Sequence, residues 1–484
     1  MTEQTTPDES DDTTPSESHL EPGQLGRTTL VSLSLASFFP AVGISLVPLL
    51  VFTTSGVHAW QSSLLASIAV ICIGRAVIEF ARRFVATGSL YSYIGEVFGP
   101  WARYLTGAAL LGGFITAVAA LSAVFGIFTG SFLLSRGMTT ALQFGPQVMI
   151  MALVVALAAA IAFRGLDTSV LIAVTLAVLS LPIVLVITVA SASHTGLNLP
   201  AQFSLSDFSL SGTLKGVAVG TAFLIGFESC TALAAETRNP RRNVPLAVMA
   251  VPVVLGVLFP IATILQVPGL MAASDQLQAG MSAPAALALE SGLGSWVATA
   301  SDIVLAAATF AAIIGFINYG ARFAMTLAED GLLPAPIARI HPRHHSPYIA
   351  IAALSVVGFA LIAALVFVTD DVDNAYTPIA TLLVYLWVAP YILIAVGAVV
   401  LTLRTRSFRP VLFLAATIGS AAMAWSYING LITPPAPPAD AMSWVAVLVV
   451  ASLLAVFTAT SRLHAHRFRT AQPAQSAEGM APES

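Results

Sequence analysis

Twelve runs of predominantly apolar residues, joined by short connections rich in Pro, Gly, Ser and Asp, take up most of this 484-residue chain. A helix needs roughly 20 apolar residues to cross about 30 Å of hydrocarbon. Runs near 29–52, 61–81, 101–128, 146–163, 168–190, 213–235, 244–267, 296–323, 347–368, 376–402, 410–431 and 442–461 meet that length. They are unbroken rather than alternating, which excludes a lipid-facing barrel and leaves helices as the spanning element. Charged residues make up only 9% of the chain. Soluble domains sit near a quarter, so this chain cannot cover a soluble surface of its length, and the lipid bilayer is its expected solvent.

The arginines set the expected orientation. With the N-terminus inside, the cytoplasmic segments hold Arg27, Arg82, Arg83, Arg103, Arg164, Arg238, Arg241, Arg242, Arg339, Arg343, Arg404, Arg406, Arg409, Arg462, Arg467 and Arg469. The outer segments hold only Arg136 and, at the edge of span 6, Lys215. This asymmetry is the positive-inside pattern, and it predicts both termini in the cytoplasm. Residues 1–28 carry an acidic, Thr-, Ser- and Pro-rich stretch with almost no apolar surface to bury, so a disordered tail is expected there, with a second tail over 462–484. The first apolar run is too long for a cleavable signal. The connection over 268–295 is apolar with Gly and Pro, and either caps an outer vestibule or serves as a plain connector.

Ionisable groups inside spans are costly and point to function or to pairing. Arg75 and Glu79 lie four apart in span 2, on one face, as an ion pair would. Glu228 lies in span 6 without a partner on its own helix; it could contact a substrate, carry a proton or hold backbone N–H groups where a helix is broken. Asp302, near the outer end of span 8, reads as interfacial. No histidine falls within a span, and the sequence has no nucleotide-binding GxxxxGK[ST] loop. A histidine relay, a buried metal site, a cofactor and nucleic-acid binding are not expected. Cys72 and Cys230 lie in apolar stretches as small buried hydrophobes. With no paired acids in the membrane, no HExxH and no GxSxG within a span, an enzyme is not expected either.

Two spans carry interruption signals at corresponding places. Span 1 contains Phe39-Pro40-Ala41-Val42-Gly43-Ile44-Ser45, and span 6 contains Phe223-Leu224-Ile225-Gly226-Phe227-Glu228-Ser229. They stand five spans apart, as the first helices of two five-helix repeats would, and an odd number of spans inverts the second repeat. Interrupted helices paired in this way predict a binding site near the bilayer midplane. Amides at a half-helix start can hold a carboxylate there, and carbonyls at a half-helix end can hold an ammonium.

Residues 220–245 resemble the helix 6 signature of the amino acid–polyamine–organocation (APC) permeases, with Gly226-Phe227-Glu228 and Ala235-Glu236-x-x-Asn239-Pro240-x-Arg242-x-Val244-Pro245 in register. Leu327-Ala328-Glu329-Asp330-Gly331-Leu332-Leu333-Pro334, followed by Ile340-His341-Pro342, resembles the loop after helix 8 of that family. Glu79-Phe80-Ala81-Arg82-Arg83-Phe84, with Gly88-Ser89-Leu90-Tyr91-Ser92-Tyr93 and Gly99-Pro100, resembles its helix 2–3 junction.

The resemblance implies an all-α integral membrane fold of twelve transmembrane helices: a LeuT-like five-plus-five inverted repeat (29–190 and 213–402) and two C-terminal helices (410–461). It implies alternating access by a secondary transporter of amino acids or related amines. By position, the substrate-binding residues would be Ala41, Val42, Gly43, Ile44 and Ser45 in span 1, and Thr221, Ala222, Phe223, Leu224, Ile225, Gly226, Phe227 and Glu228 in span 6. Arg82, Glu236 and Arg242 fall on cytoplasmic gate or loop positions.

The chain departs from the family pattern with Ala41-Val42-Gly43 in place of Gly-x-Gly, with Ala222 where some members have a bulky aromatic lid, and with no lysine or glutamate in span 5. The last departure counts against a lysine-based proton scheme, although a coupling proton stays among the expected partners. Thr309 is a candidate for the span 8 hydroxyl that helps hold the ion in Na⁺-coupled relatives, with helix packing as its alternative role. Tyr104, Phe227, Asn318 and Tyr385 are further candidates for selectivity. A polyamine- or nucleobase-type permease and a membrane sensor that binds without transporting are the alternatives. Nineteen of the twenty Lys and Arg residues are arginine, a bias typical of GC-rich bacteria, so a bacterial plasma membrane is the expected location.

Overall fold

The computed structural model of the chain describes residues 23, 25–85, 88–204, 208–407 and 409–470. Most of the two expected tails falls outside them. Among the described residues all regular structure is helical: α1 (Arg27–Ser37), α2 (Pro40–Ser55), α3 (Ala59–Ala81), α4 (Ser89–Phe98), α5 (Pro100–Ser135), α6 (Phe144–Phe163), α7 (Leu166–Thr195), α8 (Leu199–Phe203), α9 (Leu210–Gly220), α10 (Pro240–Ala272), α11 (Ser274–Gln278), α12 (Ala283–Glu290), α13 (Ser295–Glu329), α14 (Tyr348–Thr369), α15 (Val372–Arg404), α16 (Pro410–Ile432) and α17 (Met442–Thr470).

Ten stretches of the described chain are long and apolar enough to cross a membrane, the first of them running from Arg27 to Ala81 through α1, α2 and α3. The burial pattern follows the solvent. α5 packs on α13 and α15 at the centre, and α3 packs on α10 and α16. Small residues let these helices approach: a Cβ on Gly113 of α5 would stand 2.2 Å from the Trp387 ring of α15. The outer helices carry their large apolar side chains outward, with Leu171, Phe367 and Leu448 each about two thirds exposed. Apolar surface on this scale needs lipid to cover it. The four internal prolines of α10 are also tolerable in a membrane helix, where neighbouring helices satisfy the freed carbonyls.

The connection after α10 is a packed cap. Ala283 to Ala288 of α12 are buried, and α12 rests on α2, α7, α10 and α13. Asp302 fastens it, and this corrects the interfacial placement expected for that residue. Its side chain is buried, accepts the Ser131 hydroxyl of α5 at 2.7 Å and accepts the Ser282 hydroxyl at the start of α12. Burial is tolerable because both carboxyl oxygens have donors.

At the arginine-rich end, two of the sequence motifs meet. Tyr91 of α4 donates to Asp330 at 2.6 Å, and Arg103 pairs with the same carboxylate. Burial and the neighbouring Asp330 push the Tyr91 hydroxyl well above the usual phenol range. Glu79 binds Arg75 at 3.3 Å as the spacing predicts, but also Arg83 at 2.8 Å and Arg409, just ahead of α16, at 3.0 Å. The expected pair is one side of a four-residue cluster.

Candidate functional site

The first interruption lies at Phe38 and Phe39, between α1 and α2. Phe39 adopts φ 37° and ψ 69°, and the reason is its neighbour. Proline disfavours helical backbone at the residue before it, while its own fixed φ suits the first position of a new helix. α2 therefore starts at Pro40. The Val42 and Gly43 amides turn back onto the Phe39 carbonyl at 3.0 and 3.2 Å. The break thus sits just ahead of the expected Ala41–Ser45 segment, and those five residues form the first turns of α2. Gly43 serves close packing instead: a Cβ there would stand 2.4 Å from Phe259 of α10.

The second interruption follows α9. The chain turns from Thr221 to Gly226 and resumes as a short 3₁₀ helix over Phe227–Leu233. The Leu224 and Ile225 amides share the Thr221 carbonyl at 2.9 and 3.0 Å. Gly226 takes φ 85°, a conformation that costs an L side chain but not glycine.

A buried polar cluster holds this second break. Tyr391 of α15 accepts the Gly226 amide at 2.8 Å and donates to Glu228 Oε2 at 2.7 Å. Trp387, one turn earlier on α15, donates to Glu228 Oε1 at 2.8 Å. All three side chains are fully or almost fully buried. Glu228 thus reaches the backbone amide at the break through the Tyr391 hydroxyl. Trp387 and Tyr391 are absent from the sequence-based site. Their signal was present, since two aromatic donors four residues apart lie on one face of an apolar helix, and an acid buried in a membrane needs donors.

The two breaks face each other. Phe39 and Phe223 meet edge to face with centroids 5.8 Å apart, and Phe38 packs on Phe316 of α13 at 5.5 Å. Between them lies a cavity of about 40 Å³, lined by Phe38, Phe39, Ala222, Phe223, Ile225 and Phe316, together with residues of α5 and α15. Of the expected substrate residues, Ala222, Phe223 and Ile225 line it. Ala41, Val42, Gly43, Ile44, Ser45, Thr221, Leu224, Gly226, Phe227 and Glu228 stand outside its lining. Phe227 packs on Tyr391 at 5.6 Å, Asn318 is engaged with Arg322, and Thr309 bonds to the Leu305 carbonyl. Tyr385 lines a second cavity of about 350 Å³ that shares Ala222, Tyr376 and Ala380 with the first. This wider space lies among the end of α2, the second half of α9, the first half of α15 and the end of α16.

The opposite, arginine-rich end is sealed. Glu236 forms a two-pronged, buried pair with Arg322 of α13 at 2.8 and 3.0 Å, and Asn318 Oδ1 accepts from the same guanidinium at 2.9 Å. Leu25 crosses below: its amide donates to the Glu236 carbonyl and its carbonyl accepts the Arg238 amide, each at 2.9 Å. Arg82 and Arg242 are exposed, so of the three expected gate residues only Glu236 is built into this seal.

Comparison with known proteins gives a consistent result. Residues 25–463 match the family described as Amino acid permease. The branched-chain amino acid permease BcaP of Lactococcus lactis subsp. cremoris (strain MG1363) is 28% identical over 329 residues, covering 63% of this chain and 70% of the relative. The BcaP of Bacillus subtilis (strain 168) is 25% identical over 310 residues, covering 61% of this chain and 65% of the relative. The vacuolar cationic amino acid transporter 4 of Arabidopsis thaliana is 29% identical over 200 residues, covering 41% of this chain and 32% of the relative. The matched region thus spans about two thirds of the bacterial relatives' length and about a third of the plant relative's.

Proposed function

We propose that this chain, which belongs to the amino acid permease family, is a secondary transporter that carries an amino acid with a compact apolar side chain by alternating access. Membership of the family makes it a multi-pass membrane transporter and not an enzyme. The observation that carries the finer reading is the meeting of two interrupted helices at one small apolar cavity.

In this reading α1 and α2 together form the first of twelve spans, and α9 with the 3₁₀ helix forms the sixth. Five-helix repeats of opposite sense begin at each, α16 and α17 follow them, and both termini face the cytoplasm of a bacterium. The substrate carboxylate lies at the start of α2, around Ala41 to Ser45, where the positive end of the helix dipole favours an anion. The ammonium lies against carbonyls at the end of α1 and over Thr221–Leu224, where the dipole is reversed. The side chain enters among Phe38, Phe39, Phe223 and Phe316. No charged side chain lines that cavity, which favours an apolar substrate.

A substrate cation bound directly by Glu228 is the less supported alternative, because both Glu228 oxygens already accept hydrogen bonds from the protein. Transport further requires the Glu236–Arg322 pair to part when the arginine-rich end opens, while α12 and the wider cavity close at the other end. Coupling is to a proton or to exchange of a second amino acid.

The test is counterflow in proteoliposomes with labelled leucine, valine, arginine, spermidine and adenine. Accumulation of the apolar amino acids is the expected result. Flux of spermidine or adenine alone would refute the substrate assignment, and binding without any flux would refute transport.

A further inference from the structure

The wider cavity has a composition of its own. It measures about 350 Å³, within the range of small-molecule sites. Lys215, the one lysine of the chain, lines it from α9 and is half-buried. No acidic side chain is among the described residues that line it. The same lining carries neutral polar groups from three other helices: Thr53 of α2, Thr377, Thr381 and Tyr385 of α15, and Asn429 of α16. The Thr53 and Thr381 hydroxyls already donate to the Leu50 and Thr377 carbonyls, which leaves Thr377, Tyr385 and Asn429 as donors to a ligand. Asn429 Oδ1 already accepts the Thr433 hydroxyl at 2.8 Å, so Asn429 offers a ligand its N–H donors. A cation flanked by donors, with no counter-charge on the wall and low-dielectric helices behind it, is a site for an anion. The floor of the cavity is formed by Ala222, Tyr376 and Ala380, which are also the roof of the small apolar cavity.

We propose that this cavity is a second binding site, in which Lys215 and the surrounding hydroxyl and amide donors hold the carboxylate of the incoming amino acid before it passes Ala222 and Tyr376 to the interrupted helices. The inference rests on the function proposed above. The carboxylate is drawn to the mouth by the lysine and loses that contact on descent, so Lys215 acts on capture and leaves the central site unchanged. The one charged side chain on the wall is a cation, so the site discriminates carboxylated substrates from amines lacking a carboxylate. That is a selectivity the small apolar cavity cannot supply with its side chains.

The test compares wild type, Lys215→Gln and Lys215→Arg in proteoliposomes, with labelled leucine as substrate and isoamylamine, which lacks the carboxylate, as competitor. Lys215→Gln is expected to raise the KM for leucine about three- to tenfold with the maximal rate unchanged, as befits loss of one charge-assisted contact at a half-exposed site. Lys215→Arg is expected to restore most of the affinity. The wild-type KM should also rise with ionic strength as the lysine is screened, and the Gln variant should lose that dependence. The inhibition constant of isoamylamine should not rise in the Gln variant, since the lysine offers an ammonium ion no attraction. A Gln variant with wild-type KM and wild-type salt response overturns the second site. So does a variant that weakens isoamylamine as much as leucine, because Lys215 would then shape the mouth and not hold a carboxylate. If the wild-type protein moves no amino acid, the functional reading itself fails, before any variant is measured.

Discussion

The Tyr391 hydroxyl stands between Glu228 and the Gly226 amide, donating to the carboxyl at 2.7 Å and accepting from the backbone at 2.8 Å. One side chain on α15 thereby satisfies an interrupted helix and its neighbouring acid together. Inside a membrane neither group can turn to water, so the aromatic residue is as much part of the break as the glycine. Tyr391→Phe removes only the oxygen. It leaves the Gly226 amide and one Glu228 oxygen unpaired, at about 1–3 kcal/mol for each orphaned group. The expected outcome is a lower thermal midpoint in detergent together with a raised KM for uptake. Wild-type values for both would mean that the cluster does not organise the break.

The Glu236–Arg322 pair makes a prediction of a different kind. Removing one partner of a buried pair strands the other charge, which typically costs about 3–5 kcal/mol, whereas replacing both with apolar residues is often close to neutral. Arg322→Met and Glu236→Met should each destabilise strongly, and the double variant should recover most of the loss. A double-mutant cycle on thermal or denaturant unfolding in detergent reads this coupling directly. If the pair is also the gate, the double variant should be stable yet should lose discrimination between its two faces. In that case a cysteine placed at Ala234 would become reactive to a membrane-impermeant thiol reagent applied at the arginine-rich end.

Much of the architecture could be read from the residues. Run lengths placed the helices to within a few residues at most ends, because the hydrophobic thickness of a bilayer is a fixed requirement. Gly226 and the proline at residue 40 marked both interruptions, because each imposes a backbone constraint that composition alone reveals. What escaped were pairings across the fold. Trp387 and Tyr391 lie more than 150 residues from Glu228, and Arg322 and Glu236 pair across 86 residues. Asp302 looked interfacial because a sequence shows its depth along a helix but not which way it faces. Within the first interruption signal the roles divide in a way only the fold shows: the missing side chain of Gly43 serves contact with Phe259, while the turn itself is forced at Phe39 by the following proline.

Ala222 lines both the wide and the small cavity, at a point where some relatives in the APC family carry a bulky aromatic residue. Ala222→Trp should fill the passage between the two spaces. Uptake of leucine should be essentially abolished while the protein still reaches the membrane and unfolds near the wild-type temperature. Undiminished uptake would show that substrate reaches the interrupted helices by another route.

Gly226 offers the sharpest test of the break itself. Its φ of 85° costs an L residue about 1–2 kcal/mol, but a Cβ there would meet Phe316, Ser229 and Trp387 only at 3.4 Å, an ordinary contact. Gly226→Ala is therefore expected to fold and to transport at a reduced rate, since strain alone is added. Gly226→Leu adds the same strain and a branched side chain directed at the Phe316 and Trp387 rings, so the two halves of the span can no longer keep their relation to the small cavity. That variant should be inserted and soluble in detergent but silent in counterflow. Membrane insertion is checked by surface labelling of an introduced cysteine, and folding by a monodisperse gel-filtration profile. A leucine variant that transports at the wild-type rate would mean that the conformation at this residue is incidental to moving the substrate.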